Sequence, residues 1–214
     1  MPDKISIGMK RLPLIILMAL ILSCAQTSRV PISKVIGTDT VRTKVVLLPD
    51  RSMDISYQRV AVREYENALT KQPVSRAIRT AFGGEKVDLV LVVRKEVQEV
   101  DSISPETFIA LAQESDVNTV IVIKPVKIDY RQGSVTRGDE FCVSRTAQVE
   151  FSVKVGESKR GEVVFAGVYS GEAKARQCSK GIRRTDKLPS EDKLVLKAIK
   201  KSALKFSEEF WESL

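Results

Sequence analysis

The chain has 214 residues with 35 Lys+Arg, 27 Asp+Glu and no histidine, a formal net charge of +8. That length supports one domain with a proper core, and the missing histidine removes the commonest general base and the commonest neutral metal ligand. The basic residues are not interleaved with stacking aromatics, which argues against nucleic-acid binding.

Lys4, Lys10 and Arg11 lead into an apolar run over 12–22, closed by Ser23 and Cys24. A basic start, a short apolar core and a small residue at the cut make a secretory signal peptide. As a helix the run covers ~17 Å, well short of the ~30 Å bilayer core, so it is not expected to stay as a spanning segment. Its ending, Ile21-Leu22-Ser23-Cys24, resembles the lipobox of bacterial lipoproteins. That resemblance implies removal of 1–23, a diacylglycerol thioether on Cys24 and an acylated new amine, so the membrane is a partner through N-terminal acyl chains. The alternative is an ordinary signal peptide with a chance cysteine. By the same resemblance Ala25, where inner-membrane lipoproteins commonly carry aspartate, implies the outer membrane. The domain is expected to face the periplasm, a side that Ala25 does not determine.

Without 1–23 the chain keeps 191 residues, 32 Lys+Arg and 26 Asp+Glu. The surplus is spread along the chain. It suits a mixed-charge soluble surface, or affinity for anionic head groups, cell-wall carboxylates or an acidic partner. With Cys24 lipidated only Cys142 and Cys178 remain. Two are too few for a cysteine-based zinc site, so neither metal nor cofactor is expected. In an exported domain the two are expected to pair with each other.

Residues 25–42 lack periodicity and read as a tether from Cys24 to a domain over 43–214. A buried strand follows at 44–49, stopped by Pro49, and 49–52 form a turn. From Val60 to Phe82 the pattern is helical, broken near Gln72 by Pro73 and ended by Gly83-Gly84. Residues 87–93 (VDLVLVV) form a strand. Ser104-Pro105-Glu106 starts a helix that turns Phe108, Leu111 and Ala112 to the core. A central strand at 119–123 continues towards Tyr130 with a bulge or edge at Pro125.

Ala147, Val149, Phe151, Val153 and Val155 then alternate with polar residues, a strand wet on one face. A turn at 156–161 returns the chain along 162–176 as a hairpin. If Gly156 faces Val164, paired numbers sum to 320, Phe151 faces Tyr169, Val155 faces Phe165, and Cys142 faces Cys178 on the polar face. Cross-strand Cα separations of ~4.5–5.5 Å permit a disulfide. A bulge would spoil the match, leaving two unpaired thiols. Residues 177–188 read as a basic loop. Pro189-Ser190 opens a last helix with an apolar stripe of Val195, Ile199, Ala203, Phe206, Phe210 and Leu214. Trp211 sits at its margin, and Lys197, Lys200, Lys201 and Lys205 lie outside it. The stripe reads as a docking face for the domain's own sheet.

The fold class is therefore α/β (α+β): one mixed sheet of about five strands, order β-α-β-α-β-β-β-α, with an antiparallel meander and a final amphipathic helix. Residues 111–122 (LAQESDVNTVIV) and the hairpin 147–167, with Arg160-Gly161-Glu162-Val163-Val164-Phe165, resemble a loose superfamily of envelope proteins. It includes the curli-secretion lipoprotein, the lipoprotein activators of cell-wall synthases and the N-terminal domain of the Tol periplasmic protein. The likeness spans about 44–212 and implies fold more than function. The long amphipathic hairpins of a secretion pore and the stalk of the synthase activators are not evident, and the cysteine pair is no hallmark of the group. The reading that follows is a non-catalytic lipoprotein that meets an envelope protein partner or assembles with itself. The alternatives are a cell-wall or lipid hydrolase using Asp88, Asp129, Asp139 or Glu140, and a surface-exposed adhesin.

Overall fold

The computed structural model describes residues 40–71, 89–94, 96–180 and 187–214. Its strands are β1 (Thr40–Leu47), β2 (Leu89–Val92), β3 (Thr119–Arg137), β4 (Glu140–Glu157) and β5 (Val163–Lys180). They form one mixed sheet in the order β2-β1-β3-β4-β5. The helices are α1 (Ile55–Leu69), α2 (Pro105–Ser115) and α3 (Glu191–Glu212). β1 runs parallel to β2 and β3, and β3, β4 and β5 form an antiparallel meander. The element order is the one the sequence implies.

The apolar pattern explains the layering. In β1, Val41, Val45 and Leu47 join the larger core with α1 and α3, while Val46 joins the smaller core under α2. A central strand buried on both faces reads as a near-continuous apolar run. The larger core centres on Tyr65, Phe151, Phe165, Tyr169, Phe206 and Phe210, whose neighbouring ring centroids lie 5.3–6.3 Å apart. Each such side chain contributes about 1.5–3 kcal/mol on burial. Trp211 is buried too, and its Nε1 donates to the Leu69 carbonyl at 3.3 Å.

α2 begins as expected, with Ser104 Oγ accepting from the Thr107 N–H at 3.2 Å and Pro105 in the first turn. Phe108, Leu111 and Ala112 pack on Val46, Val120 and Val122. Gly156 lies under the Phe108 ring, where a Cβ would come within 2.3 Å. α1 starts at Ile55, ahead of the helical pattern at Val60, because Asp54 caps it by accepting from the Ser56 N–H at 2.8 Å. Buried Gln58 bonds the Asp50 N–H and the carbonyls of Asp50 and Met53, which ties the 50–53 turn to that first helical turn. The expected break at Pro73 and stop at Gly83-Gly84 lie outside the described residues.

Strand boundaries and one pairing also differ from expectation. β1 opens at Thr40, so residues 40–42, read as tether, pair with β2. β3 bulges between Pro125 and Lys127 and continues to Arg137. With β4 it makes a hairpin of 18–19-residue strands, a long hairpin that the sequence does not display. β5 runs to Lys180, so residues 177–180, read as loop, are strand, and 181–186 lie outside the described residues. Gly156 faces Val163, not Val164, because the register shifts after Val155. The shift falls at the closed end of the hairpin, so every pair beyond it still sums as expected. Among the described residues no helix is long and apolar enough to cross a membrane.

The three-stranded ribbon as a candidate interaction surface

β3, β4 and β5 run on past the packed core as a three-stranded ribbon. Its far end is exposed along the whole of 131–139. Alternation puts Ala147, Val149 and Phe151 of β4 into the core and turns the residues between them to the opposite face. The pairing builds that open face from cross-strand rows: Lys127–Glu150–Ser170, Asp129–Gln148–Glu172, Arg131–Thr146–Lys174 and Val135–Cys142–Cys178.

The open face is electrostatically ordered. Asp129 bonds Arg131 Nε at 2.8 Å and lies 3.7 Å from Lys127 Nζ. Lys174 Nζ bonds Glu172 at 2.8 Å, which holds the Glu172 carboxyl below its ordinary range, with Gln148 and Lys201 acting in the same sense. Such exposed pairs are screened by solvent and individually weak. Val168 is 61% exposed and Val126 46% exposed, so apolar contacts stand among the charges.

On the core side Arg145 anchors the ribbon by donating to the Pro189 carbonyl at 2.9 Å and to Gln132 at 2.9 Å. β5 is an edge strand, and part of its edge is taken up by α3. Lys201 Nζ donates to the Glu172 carbonyl at 2.8 Å and Lys205 Nζ to the Ser170 carbonyl at 2.9 Å. The sequence placed these lysines outside the apolar stripe but gave no sign that they reach a strand edge. Where the segment before α2 meets the open face, a cleft of about 460 Å³ is lined by residues that include Leu48, Asp50, Ile103, Lys124, Val126 and Lys154. Asp50 in its wall is held below the usual carboxylate range, chiefly by the Ser52 hydroxyl.

Cys142 and Cys178 are bonded across β4 and β5, with Cα atoms 4.0 Å apart. Cys142 is buried and Cys178 exposed. Cys24 and Asp88 lie outside the described residues. Of the remaining candidate carboxylates, Asp129 stands apart from the other two. Asp129 pairs with Gln148, and Glu140 lies eight residues further along β4, about 27 Å away. Hydrolytic carboxylate pairs sit ~5–9.5 Å apart. Asp139 is in the exposed hairpin turn beside Glu140.

Fold and surface together define an α+β domain with a single mixed sheet whose meander extends into a disulfide-braced ribbon. The chain belongs to the family of an uncharacterized protein of Aquifex aeolicus (strain VF5), to which it is 30% identical over 212 residues, covering 96% of this chain and 100% of that one. No family model matches the chain. Solved structures similar to it include the PelC dodecamer from Paraburkholderia phytofirmans, at 12% identity, 78% and 89% coverage and a TM-score of 0.36. They also include a minor lipoprotein from Acinetobacter baumannii, at 14% identity, 79% and 90% coverage and a TM-score of 0.30. A third is the rare lipoprotein B from Shewanella oneidensis, at 12% identity, 79% and 92% coverage and a TM-score of 0.28.

Proposed function

We propose that this chain is a non-catalytic, lipid-anchored envelope protein whose ribbon meets a protein partner or further copies of itself. The lipobox-like ending at Cys24 supports the anchor, and Ala25 supports the outer membrane; a periplasmic domain is part of the same proposal.

The observation that carries the interaction role is the ribbon's order without cover. Its far end is exposed, yet a disulfide, a bonded charge lattice and the Arg145 anchor hold it in one shape. Pre-organised surface of this kind binds without a large ordering cost.

The test is photo-crosslinking in intact membranes, with the crosslinker at Val135 or Val168 on the ribbon and at Lys197 on α3 as control. Discrete adducts from the ribbon positions alone, lost in a Cys24→Ala variant that no longer fractionates with membranes, support the reading. Adducts from Lys197 alone, or no change of fractionation in Cys24→Ala, contradict it.

A further inference from the structure

The two sulfurs of the ribbon disulfide stand in different surroundings. Cys142 is 7% exposed, while Cys178, on the edge strand, is exposed. Arg176 Nη2 donates to Cys142 Sγ at 3.4 Å. The parity of the ladder also fixes the kind of pair the two cysteines form. Ser170 and Glu172, which share the parity of Cys178, direct their carbonyls to α3 and not to β4. Cys142 and Cys178 therefore form a non-hydrogen-bonded pair, the close-spaced kind, in keeping with their 4.0 Å Cα separation.

We propose that the Cys142–Cys178 bond is a thiol–disulfide exchange site of fixed polarity, attacked at Cys178 by a dithiol, with Cys142 leaving as a thiolate held by Arg176. Exchange proceeds by thiolate attack on one sulfur while the other leaves, faster when the leaving thiol is the more acidic. Exposure favours attack at Cys178. A guanidinium beside a sulfur favours its anionic form, so the direct hydrogen bond from Arg176 assists departure of Cys142 more than departure of Cys178. The Glu140 carboxylate lies within 4.8 Å of both sulfurs and opposes an incoming thiolate at either, so it does not choose between them.

The steps balance. A thiolate of the dithiol bonds to Cys178 Sγ as the Cys142–Cys178 bond breaks, giving a mixed disulfide and a Cys142 thiolate. The second thiol of the reagent, deprotonated, attacks its own sulfur in that mixed disulfide and releases the Cys178 thiolate. The dithiol ends as a disulfide, two electrons poorer. Its two protons are left for solvent or the new thiolates.

The test uses full-length oxidised protein and reduced glutathione as a single-thiol probe, quenched in acid at short times, alkylated and mapped by peptide mass. The expected result is a glutathione adduct on Cys178 with Cys142 alkylated. Arg176→Met should slow the reaction roughly three- to tenfold, and Arg176→Lys should restore most of the rate. Adducts mainly on Cys142, adducts shared equally, or an unchanged rate in Arg176→Met would overturn the assignment.

Discussion

Tyr65 donates its phenolic hydrogen bond to Ser202 Oγ at 2.7 Å in the centre of the core. The direction follows from the next link, since Ser202 itself donates to the Tyr169 carbonyl at 2.9 Å. One buried relay thus ties α1, α3 and β5 together. Ser202→Ala leaves a buried phenol and a carbonyl without that partner, at a cost of about 1–3 kcal/mol. Tyr65→Phe, which removes the donor and keeps the ring, should cost less. Urea denaturation of both variants gives the two numbers. A Ser202→Ala protein as stable as the parent would contradict the relay.

The same tyrosine sets an alkaline limit. Burial pushes the Tyr65 phenol well above its ordinary range, only partly offset by Ser202. Tyr57 is raised as well, chiefly by its hydrogen bond to Asp192. A phenol with a higher pKa folded than unfolded keeps its proton longer in the native state. Its contribution is therefore full below about pH 10 and is lost as pH rises further. Unfolding midpoints between pH 8 and 11 should fall less steeply in Tyr65→Phe, and less steeply again in the Tyr57→Phe/Tyr65→Phe double variant.

Gly171 is where α3 meets the edge strand. A Cβ there would stand 1.9 Å from the Ala198 carbonyl oxygen, which is backbone and cannot rotate away. Gly171→Ala should lift α3 from β5 and cost about 1–3 kcal/mol or more, read as a lower urea midpoint. An unchanged midpoint would place α3 elsewhere.

Loss of the disulfide should act on the ribbon before the core. The bond spans a sequence separation of 36, for which loop-closure entropy sets an upper bound of about 4 kcal/mol. A Cys142→Ser/Cys178→Ser protein should show faster amide exchange at 140–146 and 174–180, with Val149 to Val155 still protected. Equal loss of protection in both regions would contradict the view of the ribbon as a separate extension.

The legible parts of this fold are those with a face to bury. Ala147 to Val155 alternate because one side packs against the aromatic cluster, and the resulting register already pairs Cys142 with Cys178. β3 beyond Tyr130 was hidden because Arg131, Gln132, Gly133 and Ser134 stand past the helices, exposed on both faces, so no alternation marks them. The α1 start was hidden for a related reason. Its first turn is Ile55, Ser56, Tyr57 and Gln58, and the buried member is a glutamine whose partners are turn carbonyls. Lys201 and Lys205 look like solvated helix charges until β5 is placed beside them.

The native mass of the full-length protein, extracted gently from membranes in mild detergent, tests the interaction role most directly. It should exceed that of one chain, as a self-assembly or a complex with one other protein. The excess should disappear when Lys174→Glu and Arg176→Glu reverse the charge of the ribbon face. A single-chain mass for the unaltered protein, or an excess indifferent to those two substitutions, would contradict a binding role for the ribbon.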